Sequence, residues 1–215
     1  MTFVDNNAVD YNVQFFDNYN YTVLVPTNEA IREAIANGLP TWESIDEDFS
    51  GCVDPYTGEL TTKEDSLRIQ YKIMYLANFI RTHFADNSVF ADKSDMSAEL
   101  FTNSFNSETG VFVKSYVQRA GGVLKVKDNT ASGRWIAAMY TYDGRDVKNI
   151  MTCDRECNSK VKDQSMNNKT TDASSYAVIH LIDGVLNHDE LTNGKYPDFT
   201  SGSGARKYIQ KFVIR

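Results

Sequence analysis

The chain has 215 residues, 41% hydrophobic and 12% aromatic, with 22 Lys and Arg against 29 Asp and Glu for a net charge of −7. That is enough apolar material for one large domain with its own core, and an acidic balance without a basic stripe argues against nucleic acid as a partner. No apolar run approaches the roughly 20 residues that span a bilayer, and Met1-Thr2-Phe3-Val4-Asp5 does not open a signal peptide.

Thr22 to Val25 is an almost continuous run of β-favouring residues, as in a strand covered on both faces, with Val23 and Val25 expected in the core. Pro26 has no backbone donor and stops the ladder. Thr27 or Asn28 caps the helix that follows, and Glu29 sits in its first turn, where the dipole favours an anion. Ala30, Ile31, Ala34 and Ile35 make the buried stripe of that helix, and Gly38 ends it. Pro40 to Ile45 begins a short second helix. Residues 46–61 then read as an acidic, turn-rich insertion. Asp46, Asp48, Ser50 and Gly51 match the opening of a calcium loop, but Thr57 stands where the bidentate Glu belongs and Pro55 interrupts it, so a solvated loop is the better reading.

Thr61 and Glu64 are spaced for a capping box at the head of a long helix. From Leu67 to Phe84 apolar residues fill two adjacent stripes: Leu67, Tyr71, Met74 and Ala77, and Ile69, Ile73, Leu76 and Ile80. Such a helix is buried on most sides, and His83 lies at its end. From Ser97 to Val126 the pattern is strand-like, in Leu100 to Thr102, Val111 to Val113, Tyr116-Val117 and Val123 to Val126, punctuated by Gly110 and Gly121-Gly122. Trp135 to Tyr142 reads as a further strand. Residues 143–175 form a polar insertion that holds Cys153 and Cys157. A clip between these two and a pair of unrelated thiols both fit, because their spacing is neither a redox CxxC nor a zinc knuckle. Long ordered loops often carry function and polar ones are often disordered, so both readings of this insertion stand. Tyr176 to Ile182 is a strand with His180 inside it and Ile179 and Leu181 expected in the core, followed by the turn signal Asp183-Gly184. Arg206 to Arg215 reads as a last strand.

His83 and His180 fall within structural elements, where a histidine is usually a hydrogen-bonded core group. His188-Asp189-Glu190 puts potential ligands on adjacent side chains that point apart, so neither metal nor cofactor is expected. No nucleophile elbow, phosphate loop, zinc-protease motif or dinucleotide fingerprint occurs. Tyr19 with Tyr21, Tyr140 with Tyr142, and Tyr196 with Phe199 are aromatic pairs that serve either a binding surface or the core.

The segments Tyr21 to Ile31 and Tyr176 to Leu186, in this order, resemble the two signature motifs of the fasciclin family, and the long helix between them resembles that family's central helix. The resemblance covers about residues 21–186 of one domain spanning 1–215. It implies an α+β, fasciclin-like fold: a β-sandwich or wedge of mostly antiparallel strands with several helices alongside. Thr27, Asn28, His83, His180 and Asp183 would then be structural residues of the motifs. The implied function is a non-catalytic binding or adhesion module at the cell surface or outside the cell, recognising a protein or a glycan. An accessory domain of a larger exported lipoprotein, and an enzyme of unidentified chemistry, are the alternatives. The natural chain is expected to continue upstream with a signal, a lipid anchor or another domain, so membrane attachment would lie outside this chain. Sparse proline and cysteine with long polar insertions suggest a bacterial source. The family's Tyr-His pair is Thr82-His83 here, and Asn168 to Ala173 matches its adhesion segment only loosely, which argues against integrin recognition. Specificity is therefore expected in the second insertion, with Tyr142, Arg145 and Arg155 as the candidate ligand surface.

Overall fold

The computed structural model describes residues 21–59, 62–106, 109–128, 133–147, 150–151 and 177–186. In chain order the elements are β1 (Tyr21–Pro26), α1 (Asn28–Ala36), α2 (Trp42–Cys52), α3 (Lys63–Thr82), β2 (Phe84–Asp86), β3 (Met96–Asn106), β4 (Val111–Ala120), β5 (Val123–Lys127), β6 (Ile136–Ala137), β7 (Thr141–Tyr142), β8 (Arg145–Asp146), β9 (Ile150–Met151) and β10 (Ala177–Ile182). The fold is α+β with a mostly antiparallel sheet in the order β6-β5-β4-β3-β2-β1-β10-β9, and β7 and β8 form a separate two-stranded ribbon.

The strands of the two sequence motifs lie side by side. β1 and β10 are the parallel pair, in register from Tyr21 opposite Ala177 to Pro26 opposite Ile182. The sheet expected as a sandwich or wedge is one sheet that curls toward closure. Ala138 bridges Ile182, the Met139 N–H donates to the Leu181 carbonyl at 2.8 Å, and the Ala138 N–H donates to the Leu124 carbonyl at 2.8 Å. Residues 136–139 thus lie between β5 and β10, a closure that removes most of the sheet's edge.

Two apolar clusters fill the inside. Leu24, Leu100, Val117, Leu124, Val126 and Ile182 belong to one. The other joins Ala34, Leu39, Ile45, Ile69, Tyr75 and Phe79 of the helical segment to Val113 of β4. Val113 and Val117 share a face of β4 by the two-residue period of a strand, so helices and barrel core sit against the same inner surface. The alternate residues of that strand, Phe112, Lys114, Tyr116 and Gln118, face outward.

Several expectations are corrected here. On β1 and β10 the buried residues are Thr22, Leu24, Ala177, Val178, His180 and Ile182, while Val23, Ile179 and Leu181 are half-buried and Val25 is 38% exposed. A parallel pair fixes which face turns inward, and the apolar run alone does not reveal it. On α1 only Ala30 and Ala34 are buried, and Ile35 is exposed. On α3 the buried face runs through Ile69, Tyr71, Tyr75, Leu76, Phe79 and Thr82, and Ile80 is exposed. Tyr75, wholly enclosed, and Phe79 were absent from both expected stripes.

Helix boundaries shift for local reasons. Thr41 and Ser44 make a reciprocal capping box, with the Ser44 N–H donating to Thr41 Oγ1 at 3.1 Å and the Thr41 N–H donating to Ser44 Oγ at 3.1 Å. The helix nucleated there runs to Cys52, so Asp46, Glu47 and Asp48 ride on α2 and not on a calcium-type loop. Asp48 is paired with Lys72 of α3, and no cluster of three or more His, Cys, Asp or Glu suited to a metal is found among the described residues. The cap of α3 is Thr62, which accepts from the Asp65 N–H at 3.1 Å, in place of the expected Thr61 and Glu64. No described helix is long and apolar enough to cross a membrane.

Candidate binding surface

The two motif histidines are fixed by opposite tautomers. His83 ends α3 as its C-cap and is buried. The Leu186 N–H donates to His83 Nε2 at 3.0 Å, so Nε2 must be the unprotonated nitrogen, and Nδ1–H donates to the Phe79 carbonyl at 2.7 Å. Its own carbonyl accepts from the Leu24 N–H at 2.9 Å. One residue therefore ties together α3, β1 and the chain after β10. Burial pushes the His83 pKa down to about 4, against the opposing pull of the Phe79 hydrogen bond and the Asp128 charge. His180 has no exposed surface. Its Nε2–H donates to the Val89 carbonyl at 2.6 Å, and burial again lowers the pKa. Both imidazoles are buried core groups hydrogen-bonded to the backbone, as the sequence suggested.

His180 belongs to a set of side chains that staple the segment between β2 and β3. Thr22 Oγ1 donates to the Asn87 carbonyl at 2.7 Å and accepts from the Val89 N–H at 3.0 Å. The buried Arg119 guanidinium donates to the carbonyls of Phe90 and Ser94. Three strands thus reach one loop, whose Val89 and Ala91 plug the barrel core. Sequence reasoning missed this role of Thr22 and Arg119, because backbone carbonyls as partners leave no residue-type signature.

The other motif residues are structural in the same sense. Thr27 is the N-cap of α1 and accepts from the Ala30 N–H at 3.2 Å, whereas Asn28 is exposed and already helical. Asp183 is exposed in the turn after β10, beside the buried Gly184.

The proposed ligand loop is only partly described. Arg155, Cys153, Cys157, His188, Tyr19, Tyr196, Phe199 and the segment from Asn168 to Ala173 lie outside the described residues. Tyr142 and Arg145 are a facing pair across the turn Asp143-Gly144, whose φ values of 50° and 72° are those of a tight type I′ hairpin. The expected surface insertion therefore opens with an ordered ribbon, and Ile150 and Met151 then pair with β10. Tyr142 is not a free aromatic: its hydroxyl donates to Glu29 Oε2 at 3.0 Å and pins the ribbon to the start of α1. Tyr140 likewise donates to the Gly122 carbonyl and accepts from the Leu124 N–H. Arg145 is exposed.

The larger exposed apolar feature lies elsewhere, on the outer face of β3 and β4. Phe101 is 45% exposed and Phe112 is 48% exposed. Phe105 packs against Phe112 edge to face at 5.3 Å between ring centroids, and Lys114 Nζ sits 5.3 Å from the Phe101 centroid while bonding Glu99. Helix α3 packs against β2 and β3 with α2 beside it, α1 lies against β1, and among the described helices none covers this outer face. The alternation that produces it was obscured in the sequence by Ser115 and Arg119, polar residues at inward positions. Against known proteins, no family model matches the chain, no curated protein matches it, and no solved structure matches it.

Proposed function

We propose that this chain is a non-catalytic binding module of the fasciclin-like type, acting at a cell surface or outside the cell on a protein or glycan ligand. The reading is supported by the two resembling motifs meeting as adjacent parallel strands, with the Thr27-capped helix after the first and the His83-capped helix between them. The observation that carries it is the aromatic outer face: Phe101 and Phe112 stand exposed on a long hairpin, on either side of a shift in its register between Phe101 and Phe105. Exposed aromatic groups on a rigid hairpin are what a ligand surface requires, since they offer contact area at little cost in side-chain entropy. The hairpin bearing Tyr142 and Arg145 is the lesser part of the surface, because the Tyr142 hydroxyl is already engaged by Glu29.

The test presents purified protein to a glycan array and a panel of matrix proteins, alongside a Phe101→Ala/Phe112→Ala variant with unchanged melting. Specific binding by the natural chain that the variant loses is the expected result. Binding that survives in the variant, or binding to neither panel, overturns the proposal.

A further inference from the structure

We infer that the outer face of β3 to β6 is a site for an acidic glycan, a saccharide chain bearing sulfate or carboxylate groups. The inference rests on the binding-module reading above and names its ligand class. The sheet register carries it. Tyr116 faces Lys127 across β4 and β5, and Gln118 faces Lys125. Leu124 and Val126 are buried, so Lys125 and Lys127 point outward on the same side as Phe112 and Lys114. Continuing the pairing of Lys125 with Ala137 and Val126 with Ile136 by one step brings Trp135, 45% exposed, alongside Lys127. Four adjacent strands at a spacing of about 4.8 Å therefore present aromatic and ammonium groups interleaved on one surface.

Charge selects the ligand. In a chain of net charge −7, this face carries Lys114, Lys125 and Lys127 against Glu99, with Asp86 at its β2 margin accepting from the Phe101 N–H at 2.8 Å. Glu99 is committed to Lys114, and neither Lys125 nor Lys127 is paired with a carboxylate among the described residues. A local cationic patch on an acidic protein attracts an anion while the rest of the surface repels it, which fixes the orientation of approach. The aromatic geometry then separates glycan from single-stranded nucleic acid. Consecutive bases need several open ring faces. Here Lys114 occupies a face of Phe101, and Phe105 and Phe112 meet at 71°, so these three rings do not form a row of parallel open faces. A sugar ring needs only one aromatic face for its C–H side, with its acidic groups reaching the neighbouring lysines.

The experiment uses a size-defined heparin oligosaccharide, a neutral oligosaccharide of equal length and a single-stranded oligonucleotide as probes, by calorimetry over a salt series. The natural chain should bind heparin in preference to the other two. Lys125→Gln/Lys127→Gln should weaken that binding and lower the slope of log affinity against log salt by about 1 for each lysine removed, the signature of counterion release. Phe101→Ala/Phe112→Ala should weaken binding without changing the slope. Equal binding of the oligonucleotide, indifference to the lysine substitutions, or no heparin binding overturns the inference. If the lysine variant still binds a neutral glycan or a matrix protein that the aromatic variant loses, the ligand class is wrong and the binding-module reading stands.

Discussion

Acidification should loosen this fold through His83, and the size of the effect follows from its surroundings. The folded pKa is about 4, against an unfolded value of 6.5. Between these values the unfolded chain binds a proton that the native chain does not, so the neutral imidazole contributes stability in full above pH 6.5. That contribution is lost as the pH falls toward 4, and below it no further loss comes from this residue. At 1.36 kcal/mol per unit the window amounts to about 3 kcal/mol. The mechanism is specific: a proton on Nε2 would face the Leu186 N–H, turning an acceptor into a second donor. His83→Gln retains a donor and an acceptor but does not titrate. Urea unfolding of both proteins in steps across the window should show the natural chain losing about 3 kcal/mol more than the variant. Both proteins keep His180, whose lowered pKa acts in the same direction, so the difference isolates His83. Parallel curves would refute the buried, neutral latch.

Other substitutions probe the frame around it. Thr27→Ala removes the α1 cap and should cost about 1 kcal/mol in thermal or chemical unfolding. Ile182→Ala, at a fully enclosed position of the barrel core, should cost about 2–5 kcal/mol, and Val25→Ala, at a position 38% exposed, much less. Tyr142→Phe deletes the bond to Glu29; since both groups are solvent-accessible, melting should hardly change, while amide exchange across residues 141–146 should speed up.

Local chemistry made much of the fold legible. The strand ended by Pro26, the capped helix after it, the long helix ending at His83 and the Gly121-Gly122 hairpin are each written in adjacent residues, and each is present. What stayed hidden depends on partners far away in sequence. Which side of β1 and β10 turns inward is settled by their mutual pairing, so Val25 was misplaced. Tyr75 and Phe79 were overlooked because a helix wedged against a sheet buries a face that its own apolar stripes do not define. Asp46 to Asp48 looked like a loop because acidic residues also suit a helix once Thr41 and Ser44 have nucleated it. For the candidate site, Tyr142 and Arg145 were singled out from loop composition, while Phe101, Phe112 and Lys125 become neighbours only through the registers of β3, β4 and β5.

Where a ligand touches the sheet is the central question, and mapping it by backbone NMR on titration with the heparin oligosaccharide answers it most directly. Shifts concentrated on Phe101, Phe112, Tyr116, Lys125 and Lys127, with residues 141–146 unmoved, are the predicted result. Shifts centred on Tyr142 and Arg145, or spread over the helices with the outer face of β3 to β5 silent, would contradict the account.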